Sequence, residues 1–274
     1  MKTIHTLKKV SLATFLTFVL SFSSVFAQND TMYIMKSGAI VGQYNVNTEV
    51  DSVIFYKPTI EETTSGTFID SRDGNEYNWV QIGDQVWMAE NLKYLPSVVG
   101  PGTGSYSTAY YYVYGYNGTN VADAKATANY TTYGVLYNWT AAMDGEASST
   151  TNPSGIQGVC PTGWHLPSDA EWTELTDYLG GRSVAGGKLK ETGTTHWASP
   201  NYEATNETGF TALPGGNRVD NGAFYSIGNY GLWWSATEYG TDNAWNRDLY
   251  YSNYDVSSYG GNKELGFSVR CVRD

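Results

Sequence analysis

Three acidic residues, Glu238, Asp242 and Asp248, fall close together near the C-terminus, interleaved with Tyr239, Asn243, Trp245, Asn246, Arg247 and Tyr250. Two chemistries could use such a stretch. A pair of carboxylates facing each other across a cleft can cleave a glycosidic bond, one as acid and one as base or nucleophile. The same carboxylates, mixed with amides and aromatic rings, can instead hold a ligand without reacting with it. Rings stack on the apolar faces of sugars, hydroxyls need paired donors and acceptors, and Tyr/Asn/Ser surfaces also make antibody-like protein contacts. Closeness in sequence does not set a separation across a cleft, so binding is the expectation and hydrolysis the alternative. Tyr254 extends the stretch, and Asn217 and Arg218, after Pro214-Gly215-Gly216, lie on a segment expected to flank it.

Other reactive patterns are sparse. His165 and His196 belong to no His-x-x-x-His or His-Glu-x-x-His arrangement. His165, between Trp164 and Leu166, reads as a structural histidine, and His196, beside Trp197, as a surface contact. There is no Gly-x-Ser-x-Gly elbow and no phosphate loop. Asp70, Asp73, Asn75 and Glu76 could be mistaken for a calcium loop but lack its twelve-residue ligand spacing. No cofactor and no enzyme activity are expected, calcium being the one ion left open.

The chain has only two cysteines, Cys160 and Cys271. In an exported protein they most simply form a disulfide, the alternative being a reactive or metal-binding thiol pair. Closing a loop of about 110 residues stabilises by ~4–5 kcal/mol in the chain-entropy account.

Export is expected from residues 1–27. Lys2, Lys8 and Lys9 precede an apolar run from Val10 to Phe22, and Val25 and Ala27 offer small residues for cleavage. The run is short for a retained anchor, the competing reading. No cysteine near the cleavage point offers a lipid attachment, and no integral span is expected after cleavage. The net charge of −11 becomes more negative once the leader's lysines are gone. That balance argues against nucleic acid and anionic lipid, which demand a basic footprint. A secreted or cell-surface protein with a glycan or surface-protein ligand fits better. A structural or assembly role at the cell surface is the second class.

The elements that must position these residues read as follows. Residues 28–60 form a small β-meander, with strands at Thr31–Lys36, Ala39–Val46 and Val50–Tyr56, and 61–66 a linker. The main domain, 67–274, opens with strands at Thr67–Asp70, Tyr77–Val80 and Gln85–Met88, the first two joined through Asp73-Gly74. Residues 96–134 read as long loops apart from a strand at Tyr110–Tyr114, and Thr140–Met143 as a short helix. Ser168, with Glu171 three residues on, predicts a capping box and a helix over 169–179 ended by Gly180-Gly181. A shorter helix is expected at Lys188–Glu191, after Gly186-Gly187. Strands follow at Phe210–Leu213, Leu232–Glu238, Trp245–Tyr251 and Leu265–Val272. The Trp233-Trp234 pair is expected in the core, and the Tyr/Asn/Ser/Asp-rich residues around it in loops.

Five blocks carry a family resemblance: Ile82–Leu92, Tyr133–Trp139, Cys160–Pro167, Trp234–Glu238 and Gly266–Arg273. Together they resemble the Fibrobacter succinogenes major paralogous domain over roughly residues 67–274. The N-terminal segment is similar to leaders on Bacteroidetes surface proteins. The resemblance implies an α+β, C-type-lectin-like domain with paired terminal strands, in the branch that includes formylglycine-generating enzymes and diversity-generating retroelement target proteins. The enzymes of that branch depend on paired active-site cysteines or clustered histidines, which this chain lacks. The calcium tripeptides of sugar-binding C-type lectins, Glu-Pro-Asn and Gln-Pro-Asp, are also missing. What remains is a scaffold that presents a ligand surface.

Overall fold

The computed structural model describes residues 31–36, 39–45 and 64–273, in two units divided between Glu62 and Thr63. The leader, the expected strand at Val50–Tyr56 and residues 61–63 of the linker lie outside the described residues. In the first unit, β1 (Thr31–Lys36) and β2 (Ala39–Asn45) pair antiparallel, Thr31 opposite Asn45, with a register shift between Ile34 and Met35.

The second unit is mixed α/β, mostly sheet with few helices. Its larger sheet has five strands in the order β3 (Ser65–Ile69), β4 (Glu76–Ile82), β5 (Gln85–Met88), β14 (Val272–Arg273), β8 (Trp164–His165). β3 begins within the segment expected to be linker. The first and last strands share this sheet but do not pair, because β4 and β5 lie between them; this corrects the expectation of paired terminal strands. Two short pairs, β6 (Tyr111–Tyr112) with β7 (Leu136–Tyr137) and β9 (Asn217–Arg218) with β10 (Phe224–Tyr225), stand apart from it.

The β3–β4 turn carries the acids that could be mistaken for a calcium loop. Asp70 accepts from Arg72 Nη2 at 2.6 Å and from Arg72 Nε, and Asp73 accepts from the Asn75 side chain at 2.8 Å. These acceptors are used within the turn, and among the described residues no cluster of acids, histidines or cysteines could hold a metal ion.

The region expected as loops over 96–134 contains two helices, α1 (Val121–Lys125) and α2 (Ala128–Tyr133). Each is short, and each is started by a side-chain cap: Asn120 accepts from Ala122 and Asp123, Thr127 from Tyr130. One or two turns leave no readable periodicity, which is why the sequence gives no helical signal there. α3 (Trp139–Met143) follows, capped by Asn138.

α4 (Asp169–Tyr178) has the predicted capping box between Ser168 and Glu171. α5 spans Arg182–Leu189, so Gly186 and Gly187 lie inside a helix rather than before one. They are there for close approach: a methyl on Gly186 would come 2.5 Å from the Asp255 carbonyl oxygen. Two expected strands shrink. Phe210–Leu213 keeps only a bridge between Ala212 and Lys190, and Leu265–Val272 keeps bridges at Gly266, Phe267 and Ser268 before β14.

The smaller sheet, β11 (Tyr230–Gly240), β12 (Asn243–Tyr250), β13 (Val256–Asn262), is antiparallel with β12 in the centre. Successive strand residues face opposite sides. Trp234 accordingly enters a core with Phe267, Tyr137 and Trp139, while Trp233 enters a second core with Trp87, Trp172 and Phe210. Cys160 and Cys271 are joined by a disulfide across 111 residues of chain, inside the first core.

Candidate functional site

The residues singled out from the sequence as a loop surface lie mostly on β-strands. Trp245, Asn246, Arg247 and Tyr250 belong to β12, the central strand, with Glu238 and Tyr239 on β11. They do not form one surface. Arg247 is buried and bound within the protein: its guanidinium donates to Asp169 Oδ1, Ser258 Oγ, the Asp169 carbonyl and Thr173 Oγ1. Arg218 is buried too, donating to the carbonyls of Pro101 and Glu264 with its guanidinium 5.0 Å from the centre of the Tyr112 ring. Glu238 pairs with Lys263 Nζ at 2.6 Å. Tyr239 sets its ring edge-on to Trp245, centroids 4.5 Å apart. Tyr254 stacks on Tyr202 at 5.6 Å, Asp242 is exposed, and Asn243 and Asn217 are partly covered.

Of the three acids, Glu238 lies opposite Ala244 and Asp248 is four residues further along β12, about 13 Å of backbone at strand rise, while Asp242 lies in the β11–β12 turn. His165 Nε2 faces Glu171 Oε1 at 2.5 Å in the interior, and His196 Nδ1 lies 2.9 Å from Glu191. Both imidazoles therefore have structural partners.

One feature of β12 had no counterpart in the sequence reading. Asn246, Asp248 and Tyr250 alternate, so they project to one face, with Trp234, Leu232 and Tyr230 opposite them on β11 and Tyr259 and Ser257 on β13. Asn246 is 4% and Asp248 9% exposed, and in each the Oδ1 oxygen has no hydrogen-bond partner. Asp248 has no ion pair either; burial raises its carboxyl to about 6, against the pull of Arg182 and Arg247. Tyr230, which shares this face, is itself raised by partial burial and by the neighbouring Tyr250, Asp248 and Tyr259. The Tyr230 and Tyr250 rings stack with centroids 4.3 Å apart, and Tyr259 is 60% exposed. The face thus sets a buried amide between Trp234 and the exposed Tyr259, and a buried carboxylate between Leu232 and Ser257, with the Tyr230–Tyr250 stack next along it. The period-two run Asn246-x-Asp248-x-Tyr250 is the sequence signal that could have found it.

A separate open cleft of about 550 Å³ lies between the β4–β5 turn and α4, with Asp84, Glu174, Asp177, Asn152 and Tyr178 among its lining residues. It contains none of the residues singled out from the sequence, and none of its lining side chains is a buried polar group lacking a partner. The β12 face is the better candidate, because a buried acceptor left unmade costs stability and calls for an explanation.

Residues 80–273 match the family described as the Fibrobacter succinogenes major domain. The chain belongs to that family. No curated protein and no solved structure matches it. In this member of the Fibrobacter succinogenes major domain family, the matched span includes both disulfide cysteines, α4 with its capping box, and the whole β11–β13 sheet. Among the described residues, no helix is long and apolar enough to cross a membrane.

Proposed function

We propose that this protein is an exported, non-catalytic recognition protein that binds a glycan or a surface protein through the tyrosine-rich side of its β11–β13 sheet. A C-type-lectin-like scaffold is part of this reading. It is supported by the dominance of sheet over helix, by helix α4 with its capping box, and by the placement of the first and last strands of the second unit in one sheet. Export is supported by the disulfide, a bond that persists in oxidising compartments, and by the N-terminal leader pattern.

The observation that carries the proposal is the alternation on β12, which sets two unpartnered buried acceptors among tyrosines that remain accessible. Tyrosine supplies a large amphipathic contact with little rotamer freedom to lose, and amides and hydroxyls adapt to the partner. The test is an array of glycans and purified surface proteins, probed with the secreted protein and with Tyr259→Ala and Trp245→Ala. Loss of signal in Tyr259→Ala, with Trp245→Ala retaining it, is the expected result. Equal binding by both variants and the wild type would reject this face.

A second reading, assembly at the cell surface, is favoured by the first unit. Its hairpin leaves Ile34, Ile40 and Tyr44 exposed, apolar area that an assembly contact would cover. The solution mass of the secreted protein, monomeric across a wide concentration range, would remove that reading.

A further inference from the structure

We infer that the Asn246–Asp248 face of β12 is a subsite for one sugar ring, whose hydroxyl groups donate to the two buried acceptors while a tyrosine ring covers its apolar face. This deepens the recognition reading above and rests on it, naming the ligand class that the reading leaves open.

Buried polar atoms almost always find partners, and a buried carboxylate finds a cation or several donors. Asp248 forms no ion pair: its Oδ1 accepts no hydrogen bond, the nearby Arg247 guanidinium is committed to Asp169, Ser258 and Thr173, and Arg182 donates to the Val256 carbonyl. Two positions away on the same face, Asn246 Oδ1 is also without a donor. Other buried polar atoms lack partners, including those of Asn201, Asn217 and Asn253. Asn246 and Asp248 are distinguished by sharing one strand face, with origins about 7 Å apart.

The surroundings select the donor. Buried Trp234 stands opposite Asn246, and no lysine or arginine side chain stands opposite Asn246 or Asp248 in either neighbouring strand. The strand neighbours are Leu232, Ser257 and Tyr259, with Tyr230 stacked on Tyr250 next along the face. A protein ligand of ordinary affinity buries an aromatic or arginine anchor in an apolar pocket. This face offers instead two buried acceptors flanked by rings and hydroxyls. A sugar ring matches it, because it carries several neutral donors at its edge and C–H groups on its faces. Gly261 belongs to the same arrangement: a methyl there would come 2.8 Å from Asn246 Nδ2 and would force the amide to move.

The experiment uses the secreted full chain and a printed array of neutral oligosaccharides built from hexoses, deoxyhexoses and N-acetylhexosamines, with purified surface proteins on the same slide. Asp248→Asn is the informative variant, since it keeps the shape, removes the unpaired charge and should raise thermal stability. The expected result is a wild-type glycan signal that falls roughly tenfold or more in Asp248→Asn, and falls again in Tyr259→Ala, while both variants stay folded. A variant that gains stability yet loses the ligand separates a binding role from a structural one. Wild-type glycan binding that survives both substitutions would overturn the subsite. A protein-only signal lost in Tyr259→Ala would overturn the sugar assignment and leave the broader recognition reading standing, whereas silence toward both classes would take down both.

Discussion

The Arg247 guanidinium meets Asp169 Oδ1 at 2.5 Å, tying the central strand of the small sheet to the first turn of α4. The same guanidinium reaches the Asp169 carbonyl, Thr173 and Ser258, so one side chain joins β12, β13 and the helix. Arg247 is buried but the Asp169 carboxylate is 31% exposed, so removing the arginine leaves a partly solvated charge and lost bonds to Ser258 and Thr173. Arg247→Ala is therefore expected to destabilise the protein by about 2–3 kcal/mol, read as a shift in the urea midpoint. A loss under about 1 kcal/mol would mean that the strand is held to the helix by packing alone.

Asp248 gives a pH dependence of definite sign. Burial raises its carboxyl from 3.8 to about 6, so folding favours the protonated form. The associated stability is fully present below about pH 4 and is lost as pH rises through about 6. Asp248→Asn should be more stable than wild type near neutrality, by on the order of 2–3 kcal/mol, and the difference should vanish in acid. Thermal melts of the two proteins at both ends of that range provide the check; a gap that widens in acid would contradict the assignment.

The disulfide closes 111 residues of chain. Replacing both cysteines with alanine should lower stability by about 4 kcal/mol, mostly through the freer unfolded chain. Denaturant titrations of the double variant and of the reduced wild type should agree. A negligible change in both would show that the loop is already restricted when unfolded.

Glu171 does more than cap α4. Its Oε2 accepts from the backbone of Ser168 at 2.9 Å and of Ser154 at 3.0 Å, and its Oε1 faces His165. Ser168→Ala, which removes only one cap bond, should cost about 1 kcal/mol. Glu171→Ala also takes the acceptor from two buried N–H groups and removes the contact to His165, and should cost at least twice as much. Equal losses in the two variants, measured by chemical denaturation, would reduce Glu171 to an ordinary capping residue.

Gly186 packs α5 directly on the backbone of residues 254 and 255. Gly186→Ala gains helix propensity but places a methyl against two carbonyl oxygens, 2.5 and 2.7 Å away. Destabilisation by about 1–3 kcal/mol is expected, seen as a lower melting temperature. A rise in melting temperature would mean that the helix can slide away at no cost.

Local rules made much of this protein legible. Ser168 and Glu171 announced a helix because a capping box needs only those two side chains and the backbone between them. Asp73-Gly74 announced the first hairpin for a similar reason, with Gly74 in the left-handed conformation at φ 76°. The cysteine pairing followed from there being only two. α1 and α2 escaped because each is too short to show a period, and α5 because its glycines answer to residues 203, 254 and 255 rather than to helix propensity.

Residue types near the C-terminus revealed a surface rich in tyrosine and amides, but not which side chains share a side. That depends on strand register: Asn246, Asp248 and Tyr250 align because β12 is a strand, and Arg247, between them in sequence, turns to the helix instead. Chain composition, caps and cysteine number act over a few residues or need no geometry at all, so the sequence alone determined them. Burial and face are set by pairing between strands far apart in the chain, where a shift of one position exchanges every inward side chain for an outward one. Only the tertiary structure could decide that Arg218 and Arg247 are internal ties, and that an unpaired carboxylate lies beneath the tyrosines.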